Sequence, residues 1–211
     1  AEDMGLVTAV GLQRRYHPLL QRCLREVRRS GAPHLVVSSF FKNTPPAEVH
    51  PYYRGAIDIL TCDAIHAVDA LRHCAGGEAV AVHSDVRKLD CWYATSFTAL
   101  VRFDSACTGV LMANWRCGAR RLRLELHSPG CSAYADADGT AEVYREDCPT
   151  PTLSLDHMEA AGSEETRHHQ GFFDQAKAFI EAVRKGRPPH NSLADAVKTM
   201  RLVEQIYRAN D

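Results

Sequence analysis

Between residues 78 and 145 the sequence reads as six strand-length runs, over 78–88, 92–103, 107–115, 121–127, 131–135 and 141–145. Turn signals fall between them: Asp104-Ser105-Ala106, Gly118, Ser128-Pro129-Gly130, and Asp136 to Gly139. Each can reverse the chain sharply, so these runs predict an antiparallel meander. In the fourth run Leu122, Leu124 and Leu126 alternate with Arg121, Arg123, Glu125 and His127, which gives one dry and one wet face. Val110 to Ala113 are apolar in succession, which predicts a strand covered on both sides. Helices can cover one face only. A second copy of the chain covering the other predicts a homodimer or tetramer, built sheet to sheet.

Helical periodicity supplies the covering layer. Leu20, Cys23, Leu24 and Val27 repeat at helical spacing after His17-Pro18 and before Gly31. Phe172, Phe173, Ala176, Phe179, Ile180 and Val183 form a second stripe that closes at Gly186. A last helix opens at Ser192 with Asp195 three residues on, burying Val197, Met200, Val203 and Ile206. Residues 6–13 and 35–42 read as two further strands, residues 43–55 as a proline- and tyrosine-containing loop, and residues 149–166 as a polar connector. The fold class is therefore α+β: an open-faced, predominantly antiparallel sheet with helices packed on one face, expected as one domain over 1–211.

The 25 basic and 26 acidic side chains nearly cancel, which speaks against a nucleic-acid binder. The eight cysteines contain no C-x-x-C, and no apolar run is long enough to span a bilayer. A reduced, cytoplasmic protein away from membranes is expected.

The chemistry concentrates in residues 59–75, which read as one helix ended by Gly76-Gly77. Cys62, His66, Asp69 and His73 share one stripe of it, with Asp63 beside them. A solvent-facing stripe ordinarily carries Lys, Glu, Gln or Arg, so Cys, Asp and His suggest a reactive face or a hydrogen-bonded structural pair. A metal site is a third reading, although four ligands on a single helix rarely close a tetrahedron. No metal is expected.

Asp63-Ala64-Ile65-His66-Ala67-Val68-Asp69, followed by Leu71-Arg72, resembles the corresponding helix in the C-terminal domain of the Gfo/Idh/MocA oxidoreductases. Gly11 to Tyr16 resembles that family's entry strand, Gly-Phe-x-Arg-Arg-Phe or Tyr, and Gly186-Arg187-Pro188 with Ala194-Asp195-Ala196 its closing segment. The resemblance runs from Val7 to Arg208. It implies that His66 is the general acid or base, with Asp63 beside it. Gln13, Arg14, Cys62, Asp69 and Tyr53 become candidate substrate contacts. The family pattern has an acidic residue four before the histidine, where this chain has Cys62. A thiol accepts hydrogen bonds poorly, so Asp63 takes that role from another angle or the chemistry is altered.

The resemblance further implies a sugar, cyclitol or related polyol oxidised or reduced at a hydroxyl or keto carbon, with NAD or NADP as cofactor of the full-length protein. No Gly-x-Gly-x-x-Gly occurs here, so none of that cofactor is expected to bind this chain alone. The alternative is a binding or oligomerisation module of the same fold that has lost catalysis.

Overall fold

Period-two burial organises the molecule around one sheet. The computed structural model describes residues 4–44 and 49–210. Its strands are β1 (Leu35–Asn43), β2 (Ala79–Arg87), β3 (Ser96–Phe103), β4 (Thr108–Asn114), β5 (Arg116–Ser128), β6 (Cys131–Asp136), β7 (Thr140–Arg145) and β8 (Leu153–Asp156). They lie in the order β2-β3-β4-β1-β5-β6-β7-β8. The meander expected from the turn signals is therefore interrupted. β1 enters between β4 and β5, parallel to β4 with Val37 opposite Val110, and antiparallel to β5 with Val37 opposite Glu125. All other pairings are antiparallel.

The helices are α1 (Pro18–Ser30), α2 (Ile59–Cys62), α3 (Ile65–Ala75), α4 (His157–Ala161), α5 (Thr166–His169), α6 (Phe172–Lys185) and α7 (Leu193–Arg208). α3 crosses β1 and β4, α1 crosses β5 to β7, and α7 lies on β2. Val36, Phe40, Leu111, Leu122, Leu124 and Leu126 face these helices and are buried with Leu19, Leu24, Val68 and Leu71. Glycine at 109 lets α3 lie close on the sheet, since a Cβ there would meet Phe103 at 2.7 Å and Leu71 at 3.1 Å. The opposite face is open. Leu100 pairs with Val110, and Val110 with Val37, so an accessible apolar row crosses β3, β4 and β1; Leu100 alone is 50% exposed. Val110 and Met112 are partly open while Leu111 and Ala113 are buried, so β4 is covered on one side, not on both.

Several local expectations are corrected. Residues 6–13 form no strand; Val10 hydrogen-bonds both ways to Asn191, and the chain winds into a 3-10 turn over Gln13–Tyr16. The helix expected over 59–75 breaks at Asp63-Ala64, giving α2 and α3, with Asp58 capping α2 through Thr61 N at 2.9 Å. Residues 149–166 hold β8 and α4 rather than a plain connector. The apolar stripe of α6 is helical but stays open, with Phe172, Phe173, Ile180 and Val183 each about half exposed. On α7, Val203 and Ile206 are buried, whereas Val197 and Met200 are not. Of the expected loop over 43–55, positions 45–48 lie outside the described residues. Among the described residues no helix is long and apolar enough to cross a membrane.

Candidate active site

The break between α2 and α3 sets the site. Asp63 leaves helical geometry at φ −126°, ψ −44°, and α3 restarts so that His66 lies in its first turn. His66 then lines a cavity of about 290 Å³ with Leu12, Cys62, Ile65, Thr199 and Met200 among its neighbours. Its Nδ1 is buried and has no hydrogen-bond partner among the described residues. Burial pushes the imidazole down to about 4, the Arg14 guanidinium lowers it further, and Asp63 and Asp69 oppose the shift. At neutral pH the ring is uncharged and able to accept a proton.

Among the described residues Asp63 makes no hydrogen bond to the imidazole. Its carboxylate takes the Lys42 ammonium and the Tyr52 hydroxyl, and Tyr52 in turn accepts from Trp115 Nε1 at 2.9 Å. Lys42 also lies 5.1 Å from the Phe40 ring centroid. Burial, then the bond to Asp63, holds the Tyr52 phenol well above its usual range. Cys62 lines the cavity, and burial followed by the nearby Asp63 charge raises its thiol, so it is a neutral wall.

The other stripe members separate. Asp69 is 1% exposed, receives Arg15 through Nε at 2.7 Å and through Nη2, and accepts from Thr199 Oγ1 at 2.8 Å. With both oxygens occupied beneath the surface it is not a substrate contact, which corrects that expectation. Tyr53 is 72% exposed at φ 46°, on the outside of its turn, and is likewise not brought to the cavity. Gln13 is buried in the 3-10 turn and does not line the cavity. Arg14 is buried in the same turn and is joined to Gln170 through Nη1. His73 stacks on His190 at 5.3 Å, away from the cavity lining.

Sequence reasoning missed Thr199 and Met200 as lining residues, and Gln170 as the partner of Arg14. Gln170 is 156 residues from Arg14, and no local period links such positions. A larger hollow, about 680 Å³, lies elsewhere, beside Tyr134, Glu142 and Tyr144 on the open sheet face; it holds none of the candidate residues. Among the described residues no group of three or more His, Cys, Asp or Glu is arranged to hold a metal ion. The sequence has no Gly-x-Gly-x-x-Gly, and among the described strands one adjacent pair is parallel, β1 with β4.

A family model described as the GFO/IDH/MocA C-terminal domain matches residues 24–131, and the chain belongs to that family. Solved structures of the same fold include a dehydrogenase from Chromobacterium violaceum (TM-score 0.84, 19% identity, 100% of this chain and 63% of that one). Aldose-aldose oxidoreductase from Caulobacter crescentus, complexed with glycerol, aligns with TM-score 0.80 and 18% identity over 99% of this chain and 63% of its own. GenD2 from gentamicin A biosynthesis, in complex with NAD, aligns with TM-score 0.75 and 22% identity over 99% and 63%. The chain thus spans about two-thirds or less of the length of these structures. No curated protein matches it.

Proposed function

We propose that this chain is the substrate-facing half of an NAD(P)-dependent oxidoreductase that acts at a hydroxyl or keto carbon of a sugar, cyclitol or related polyol. One observation carries the reading: a neutral imidazole, His66, faces a cavity of about 290 Å³ with its Nδ1 unpartnered. When such a carbon is oxidised, its hydroxyl must lose a proton, and an uncharged imidazole takes one at neutral pH; in reduction the same group returns it. The redox equivalent would come from NAD(P) held outside this chain, whose sequence has no Gly-x-Gly-x-x-Gly. The chain's own contribution is proton transfer and substrate placement.

Family membership and neighbours that include an aldose oxidoreductase support the substrate class. A non-catalytic module is the second reading, favoured by Cys62 in the acidic position and by the commitment of Asp63 to Lys42 and Tyr52. Turnover decides between them. Full-length protein should oxidise a polyol or sugar with NAD(P), and His66→Ala should remove that activity while cofactor affinity stays intact; equal turnover in the variant would defeat the assignment.

Association through the open sheet face belongs to the same reading. Leu100, Val110 and Val37 present an apolar row that a second copy would cover. A homodimer or tetramer in sedimentation analysis, reduced to monomer by Leu100→Glu, is the expected result.

A further inference from the structure

We propose that the part of the substrate entering the His66 cavity is an alkyl edge, a methyl group or a run of unsubstituted ring carbons next to the reacting hydroxyl. The proposal rests on the functional reading above and narrows its substrate class from fully hydroxylated polyols to deoxygenated ones.

The lining carries the argument. Val10, Leu12, Ile65, Ala196 and Met200 supply apolar walls. Among the described residues that line the cavity, none has a carboxylate, an amide side chain, an ammonium or a guanidinium. Its polar side chains are Thr61, Cys62, His66 and Thr199.

Most of these have little to offer a second hydroxyl. Thr199 Oγ1 gives its proton to Asp69 at 2.8 Å and accepts from Arg72 Nε at 3.1 Å. Thr61 belongs to the cap of α2, where its N–H goes to Asp58 Oδ1 at 2.9 Å. Burial would raise that carboxyl, and the Thr61 hydroxyl is the first of the bonds that bring it below its usual range. Cys62 keeps a neutral thiol, a weak donor and a weak acceptor. His66 remains, with Nδ1 unpartnered, and it answers to one hydroxyl.

The backbone follows the same pattern. Val10 bonds to Asn191 through both its N–H and its C=O, and Leu12 N turns back to Val10 O at 2.7 Å. Gly11 is exposed, so the outer hydroxyls of a substrate stay on that side, in water.

Two carboxylates that a polyol would use are withheld by different routes. Cys62 stands four before His66, and the helix break turns Asp63 onto Lys42 and Tyr52. α7 carries the apolar wall outward. Leu193, Ala196, Val197 and Met200 fall at i, i+3, i+4 and i+7 on one face, and the stripe that leaves the core here is the one whose Ala196 and Met200 wall the cavity. Leu193, Val197 and Met200 are between 41% and 50% exposed. An alkyl edge gains contact with such walls, whereas each further hydroxyl brought in goes unpaired. An apolar pocket rejects an added hydroxyl by about 10–10², far short of the 10⁴–10⁵ or so of a site built to hydrogen-bond one.

The test uses the full-length protein and three probes built on one ring: cyclohexanol, trans-cyclohexane-1,2-diol and myo-inositol. Dissociation constants are read from the His66 Cε1–H resonance, so that only binding sensed at the cavity counts. Cyclohexanol is expected to bind at least about tenfold more tightly than myo-inositol, with the diol between them. Cys62→Asp, a change at a partly exposed side chain, should narrow that gap by placing a carboxylate in the wall; its folding is checked by circular dichroism. The wild-type comparison stands even if Cys62→Asp does not fold. Equal binding of cyclohexanol and myo-inositol, tighter binding of myo-inositol, no shift with cyclohexanol, or an unchanged gap in folded Cys62→Asp would overturn the proposal. Binding separates this outcome from the proton-transfer reading: a tenfold gap together with full turnover in His66→Ala would uphold the alkyl wall and sink the role of His66, and lost turnover without a gap would do the reverse.

Discussion

Arg14 and Arg15 are consecutive, equally buried and opposite in circumstance. Arg15 belongs to a closed network in which Asp69 also accepts from Thr199, and Asp195 pairs with both Arg15 and Arg72 at 2.6 Å. The network ties the 3-10 turn to α3 and α7. Burial alone would raise the Asp195 carboxyl, but Arg72 and Arg15 override it and hold it below the usual range. Arg14 Nε and His66 Nδ1, by contrast, are buried without a hydrogen-bond partner among the described residues. Paired charges tie the fold together on one side, whereas the buried polar atoms left without partners on the other add no such tie.

The largest expected effect separates the two sides by readout. In the full-length protein His66→Ala should lower turnover by about 10²–10⁴, with little change in a denaturation midpoint. A comparable loss of stability would place the ring in the structural group. Next, Asp69→Ala breaks a buried ion pair by removing one of the two carboxylates that hold Arg15, and should cost about 3–5 kcal/mol in urea denaturation. A cost under ~1 kcal/mol, the range of exposed pairs, would mean that the network is not closed.

Gly171→Ala tests what the two sides share. At φ 85° an added Cβ would meet Gln13 O at 2.6 Å and His17 N at 2.8 Å, pressing on the turn that carries both arginines. The strain should cost about 1–3 kcal/mol in denaturation; an unchanged midpoint would show that the turn can shift to admit the Cβ. Smaller still, Tyr52→Phe removes the acceptor of Trp115 Nε1 and a donor to Asp63, worth about 1 kcal/mol in denaturation. It should leave the proton affinity of His66 close to its wild-type value, because burial, followed by Arg14, sets that shift.

Much of the fold could be read from sequence because strand alternation and helical stripes are local signals. β5 with its alternating leucines, α1 after His17-Pro18, and the Gly76 cap at φ 75° follow from neighbours a few residues apart. The insertion of β1 beside β4 could not be read that way, since the hairpin-like spacing of β4 and β5 gives no sign of a strand between them. In the site, helical spacing located His66 and Cys62. The same spacing grouped Asp69 with them, although Asp69 is sealed by Arg15 from a different part of the chain. The break at Asp63-Ala64 turned the nearest carboxylate toward Lys42, a partner on β1 that no helical period reveals.

Low pH provides a global check. Burial lowers His17 to about 3 and both His66 and His73 to about 4. The unfolded chain takes up these protons near pH 6.5 and the folded chain only near 3 to 4. Stability should therefore fall as pH drops from about 6.5 toward 4, because the unfolded state binds more protons across that window. Melting temperatures that do not change between pH 7 and 5 would contradict the burial of these rings.

The most direct measurement is the titration of His66 itself, followed through its ring Cε1–H resonance and assigned by comparison with His66→Ala. A midpoint close to 4 is expected of a neutral imidazole buried at the cavity beside Arg14. A midpoint near 6.5, the value of a solvated histidine, would contradict it and remove the basis for assigning proton transfer to this residue.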